Sequence, residues 1–111
     1  MGIQKDAEEI LVYLYRERVA GKSIPQQEEI IKITKWDSIR VILALKYLVN
    51  KRWVYGEDIQ TMGEVVEDLI MINDISPEGI DVIENQKEFK KHFNHIIDLK
   101  FYKYSWGASE R

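Results

Sequence analysis

The sequence predicts a mainly α-helical domain carrying one small β-hairpin, an α+β fold. Two observations predict it. Apolar residues recur at helical spacing from Ala7 to Leu14 and from Trp36 to Lys51, and capping residues precede each run. Further on, two β-prone runs, Trp53 to Tyr55 and Leu69 to Ile75, flank a stretch punctuated by Gly56 and Gly63. With 111 residues, 45% of them apolar, the chain is long enough for one core and too short for two independent ones.

Each element has a local reason. Asp6 with Glu9 three residues later is a capping-box pattern, and Ala7, Ile10, Leu11 and Leu14 give a helix over about 6–19 that Gly21 ends. Ser23 and Gln26 repeat the pattern around Pro25, so a short second helix is expected over about 25–32. Thr34 offers the next N-cap, for a third and longest helix running to Lys51. After the hairpin, Ser76 and Pro77 start a fourth helix that Ile80 and Ile83 continue to about Asn85. From Gln86, the spacing of Phe89, Phe93, Ile96, Ile97, Phe101 and Tyr104 predicts a C-terminal helix lasting to Trp106, separate from the fourth or continuous with it through a kink.

Charge is unevenly divided. Residues 1–52 carry a net +3, residues 53–86 a net −9 without one Lys or Arg, and residues 87–111 a net +3. The negative total, −3, removes the general attraction to polyanions, so any nucleic-acid contact must come from local patches. The absence of Cys excludes disulfides, thiolate metal sites and Cys nucleophiles. The start, MGIQKDAEEI, has no apolar stretch behind a basic end, and Asp6 stands where a myristoylation signal wants Ser or Thr. A cytoplasmic protein without membrane association is the expectation.

The run IRVILALKYLVNKRWV, Ile39 to Val54, is similar to the recognition helix of winged helix-turn-helix proteins leading into the first wing strand. The run ISPEGIDVI, Ile75 to Ile83, is similar to the turn and helix after the wing. On these patterns residues 1–85 resemble a winged helix-turn-helix domain, followed in 86–111 by an extra C-terminal helix and an aromatic tail. The resemblance implies duplex-DNA binding by a transcriptional regulator, often dimeric, with the third helix in the major groove. The residues that would carry this are Lys35, Trp36, Ser38, Arg40 and Lys46. Phe89, Phe93, Ile96, Ile97, Phe101 and Tyr104 would pack the tail on the domain or form a homodimer.

A second class of function competes with the first. On a helical wheel Val41, Ala44, Leu45 and Leu48 face the core. Trp36, Ile39, Leu43 and Tyr47 share the opposite side with Arg40, Lys46 and Asn50. An apolar outer face beside an acidic wing containing Glu64, Glu67 and Asp68 suits a protein-interaction module that meets a basic protein partner and no DNA. Those carboxylates would otherwise be a solvated loop, and they lack the spacing of a Ca²⁺ loop.

Other chemistry is weakly signalled. His92 and His95, with Glu88 and Asp98, would share one face of a long C-terminal helix as metal ligands must, or simply form its exposed stripe. The tail FYKYSWG would stack single-stranded bases or fold back on the core, its lysines extending to solvent. No phosphate loop and no nucleophile with its base appear, so no enzyme, cofactor or metal is expected.

Overall fold

The computed structural model describes residues 2–59 and 69–107. Among these the chain forms five helices and one two-stranded antiparallel sheet, so the α+β class holds. The elements are α1 (Ile3–Val19), α2 (Gln27–Thr34), α3 (Ser38–Asn50), β1 (Val54–Ile59), β2 (Leu69–Ile75), α4 (Pro77–Glu84) and α5 (Gln86–Phe93). Glu64, Glu67 and Asp68, read above as an acidic wing surface, lie outside the described residues.

The helix starts show which caps operate. Gln26 and Glu29 form a reciprocal capping box at α2, and Ser76 accepts from Gly79 N at 3.0 Å to start α4. Three caps differ from expectation: α2 starts at Gln27 with Gln26 as its N-cap, so Ser23 and Pro25 lie before the helix. Asp6 lies within α1, which begins at Ile3, and Thr34 closes α2 by donating to Ile30 O at 2.7 Å. Asp37 caps α3 instead, while Lys35 in the left-handed region (φ 59°) turns the chain between the helices. An acid pair three apart, or a Thr between two helical runs, fits either role, and packing chooses.

The core lies between α1 and α3, joined by Ile30 of α2, Ile70, Ile72 and Ile75 of β2, and Val82 and Ile83 of α4. Residues 6 to 12 of α1 are all buried, which means that the helix is covered on both sides. One cover is α3. The other is the C-terminal segment, where the structure departs from expectation: α5 ends at Phe93, with Asn94 left-handed (φ 68°), and residues 94–107 continue as an irregular strap. Of the periodic apolar residues beyond Phe93, Ile97 and Tyr104 mark packing contacts along a strap, not turns of a helix, while Ile96 and Phe101 stay exposed.

The sheet is completed by side chains. The outer edge of β2 meets Gln26, whose amide donates to Ile72 O at 2.7 Å and accepts from Ile72 N at 2.9 Å, as a neighbouring strand would. Gln27 accepts from Ile70 N at 2.7 Å. A bulge between Tyr55 and Gly56 brings β1 against α3, where a Cβ at Gly56 would stand 2.9 Å from Met71 O and 3.1 Å from Val49.

Candidate functional site

The residues expected to read DNA end up in different settings. Arg40 extends across the Trp36 ring, 3.9 Å from its centroid, and its guanidinium makes two hydrogen bonds to the Asp6 carboxylate at 2.8 and 2.9 Å. That bidentate pairing pushes the Arg40 pKa above its ordinary value, so the guanidinium stays charged. Trp36 is buried, edge-on to Trp106 at 5.4 Å. Lys46 lies 3.6 Å from Asp58 of β1. Ser38 is half-buried, and Lys35 alone of the five is fully exposed in the α2–α3 turn.

What α3 turns outward is apolar. Ile39 is 65% exposed and Leu43 43%, and Ile3 at the start of α1 is 44% exposed beside them. With Asp6, Asp37 and Arg40 these side chains line a groove of about 390 Å³. Its lining carries two carboxylates against one guanidinium, and the Lys46–Asp58 contact joins its face to β1, where Glu57 is exposed.

The largest concentration of buried polar chemistry was not legible in the sequence. Glu8 and Glu9 of α1 are 1% and 2% exposed, and both are satisfied by the strap. Glu8 meets His95 Nε2 at 2.8 Å, accepts from the Tyr102 hydroxyl at 2.7 Å and pairs with Lys5 at 3.2 Å. Glu9 accepts from the Ser105 backbone N–H and from its hydroxyl, the latter at 2.7 Å. Arg16 donates to the carbonyls of Leu99 and Tyr102 and lies over the Tyr104 ring at 5.2 Å. Burial, and then the bond to Glu8, raise the Tyr102 pKa far above that of a free phenol. The one available hint was an adjacent acid pair inside the apolar run of α1.

This strap decides the fate of the tail residues. Phe89, Phe93, Ile97 and Tyr104 are buried within the chain itself, and Trp106 stacks on Tyr104 at 4.3 Å. Ile96 and Phe101 do not join them; they are 57% and 76% exposed. His92 and His95 are separated as well, the first 3.6 Å from Glu88 and the second on Glu8. Because α5 stops at Phe93, the shared helical face assumed for Glu88, His92, His95 and Asp98 does not exist. Among the described residues no group of three or more His, Asp or Glu is placed to hold a metal ion, and no helix is long and apolar enough to cross a membrane.

Scans against family models, curated proteins and solved structures each returned no match for this chain.

Proposed function

We propose that the protein is a winged-helix domain used as a protein-interaction module, with the outer face of α3 as its contact surface and the acidic hairpin beside it. The observation that carries this reading is the exchange of roles on α3. Its cations, Arg40 and Lys46, face Asp6 and Asp58, while Ile39 and Leu43 are left in water. A DNA-reading helix needs the reverse, with free donors toward base edges and phosphates. Exposed aliphatic side chains around a groove, with the Asp37 carboxylate in its lining, fit an apolar segment with basic flanks.

The regulator reading keeps one supporting feature, the exposed Lys35 beside the start of α3. Titrating the protein into labelled mixed-sequence duplex separates the two. At about 50 mM salt and micromolar protein, no anisotropy change is expected, whereas even a non-specific DNA binder responds under those conditions. Salt-sensitive binding that weakens in Arg40→Ala would overturn the interaction-module reading.

A further inference from the structure

The strap contains a loop held unusually firmly at its ends. His95 and Tyr102 both bond to the single carboxylate of Glu8, at 2.8 and 2.7 Å, so residues 96–101 leave from and return to one point. Inside the loop Arg16 grips the Leu99 carbonyl, Phe101 N–H donates to Asp98 O at 3.0 Å, and the Asp98 carboxylate accepts from Lys100 N at 3.0 Å. Ile97 is buried and Leu99 half-buried, which leaves Ile96, Asp98, Lys100 and Phe101 on the outside, with Lys103 just beyond. Phe101 is the most exposed large apolar side chain among the described residues, at 76%. An aromatic knob held by a closed and bonded loop loses little conformational freedom on docking.

The groove on α3 is the complementary shape in the same molecule. It is concave, its walls are Ile3, Ile39 and Leu43, and its acids outnumber its base. The knob is aromatic and carries two exposed lysines, Lys100 and Lys103, against one carboxylate, Asp98, which accepts from the Lys100 backbone N–H. No ion pair involves Lys100, Lys103 or the groove's Asp37 among the described residues, so these charges remain available to a partner. The exposure of Phe101 shows that the chain does not fill its own groove. We propose that the groove of one copy receives the Phe101 loop of a second copy, in a head-to-tail contact with Lys100 and Lys103 toward the acidic side of the face. This rests on the reading of the α3 face as a contact surface and names its occupant.

Such a contact uses different patches on the two copies, so it propagates beyond a dimer as concentration rises. Sedimentation velocity of the full chain, from about 10 µM to about 1 mM, is the test. The average mass is expected to climb past that of a dimer, and to climb several-fold less at about 500 mM salt than at about 50 mM. Phe101→Ser and Ile39→Asp, both at exposed positions, are each expected to keep the wild-type melting temperature and to stay monomeric. An equimolar mixture of the two should recover association and stop at a dimer, because one retains its groove and the other its knob. Wild-type protein that stays monomeric throughout overturns the proposal, as does a mixture that stays monomeric. Association lost in Ile39→Asp and unchanged in Phe101→Ser overturns the occupant while leaving the α3 face as a contact surface; association unchanged in both removes both ideas.

Discussion

Glu8 is a buried carboxylate that gathers three polar partners. A carboxylate 1% exposed needs partners for its lone pairs, and Lys5, His95 and Tyr102 supply them from two separate parts of the chain. Tyr102 carries a testable consequence. Its folded-state pKa lies above its unfolded value near 10, first through burial and then through Glu8. Above about pH 10 the folded chain therefore holds a proton that the unfolded chain releases, and the stability this provides below pH 10 is lost as pH rises. Tyr104 and Tyr13 are raised in the same direction, chiefly by burial. Tyr102→Phe is expected to cost about 1–3 kcal/mol at pH 7 and to flatten the alkaline decline, because one of four contributors, Tyr13, Tyr15, Tyr102 and Tyr104, is gone. Urea midpoints measured from neutral to strongly alkaline pH check both, and an unchanged slope would place the proton elsewhere. The Arg40–Asp6 pair belongs to the same scale: an Asp 5% exposed loses its partner in Arg40→Ala, so that variant tests fold as well as DNA affinity and needs its melting curve beside any binding result.

At the scale of elements, β2 is finished on its outer edge by glutamines. Gln26 does two jobs, capping α2 with Glu29 and pairing both backbone groups of Ile72. Gln26→Ala removes the cap and leaves the Ile72 N–H and carbonyl without that amide. A loss of about 1–3 kcal/mol is expected, with faster hydrogen exchange at Ile72 N–H than at amides bonded to β1. Equal exchange would show that the amide is dispensable to the edge. Helix α4 is located by a close approach as well as by its cap. A Cβ at Gly79 would stand 2.2 Å from the Trp53 carbonyl, and Ser76 bonds Arg52 O at 2.7 Å, which docks the α4 start on the α3–β1 turn. The end of α1 is tied in too: Tyr15 donates to Glu84, a bond that pushes its phenol up to about 12, and Arg18 pairs with Asp74 at 2.7 Å.

At the scale of the molecule the strap works as a third layer. It covers the side of α1 that α3 leaves open, with Tyr104, Trp106, Tyr13 and Trp36 meeting edge-on or stacked. Ending the chain after Phe93 would strip both Glu8 and Glu9 of their strap partners and uncover this aromatic cluster. The expected result is a loss of about 3–5 kcal/mol, read as a lower urea midpoint, and a weakened near-ultraviolet circular dichroism signal. A truncated chain with wild-type stability would show the strap to be a passenger. The same layer bears on assembly. Four of the six tail residues considered for a dimer lie within the core of their own chain, which leaves Ile96 and Phe101 as the apolar groups that a second copy can reach.

Local signals carry the element order. Apolar period identifies α1 to α4 and the β-prone runs the hairpin, and Ser76 with Pro77 marks the start of α4, because those signals act within a few residues of one another. The polarity of α3 is also local, since Val41, Ala44, Leu45 and Leu48 fall on one side of any helix built from them. The partners of charged groups are not. Arg40 is a free base in the sequence and half of a bidentate pair in the fold, because Asp6 comes to it from 34 residues away. Glu8 and Glu9 look like first-turn acids of a surface helix, and become a buried anchorage because residues 95 to 105 return to them. The end of α5 follows the same logic: Phe93 to Tyr104 keep a helical spacing, but only by leaving the helix at Asn94 can His95 and Tyr102 reach one carboxylate. The sequence by itself determined the α+β class and the apolar outer face of α3; which charges stay free and which aromatics stay exposed depended on contacts across the whole chain length, and only the tertiary structure decided them.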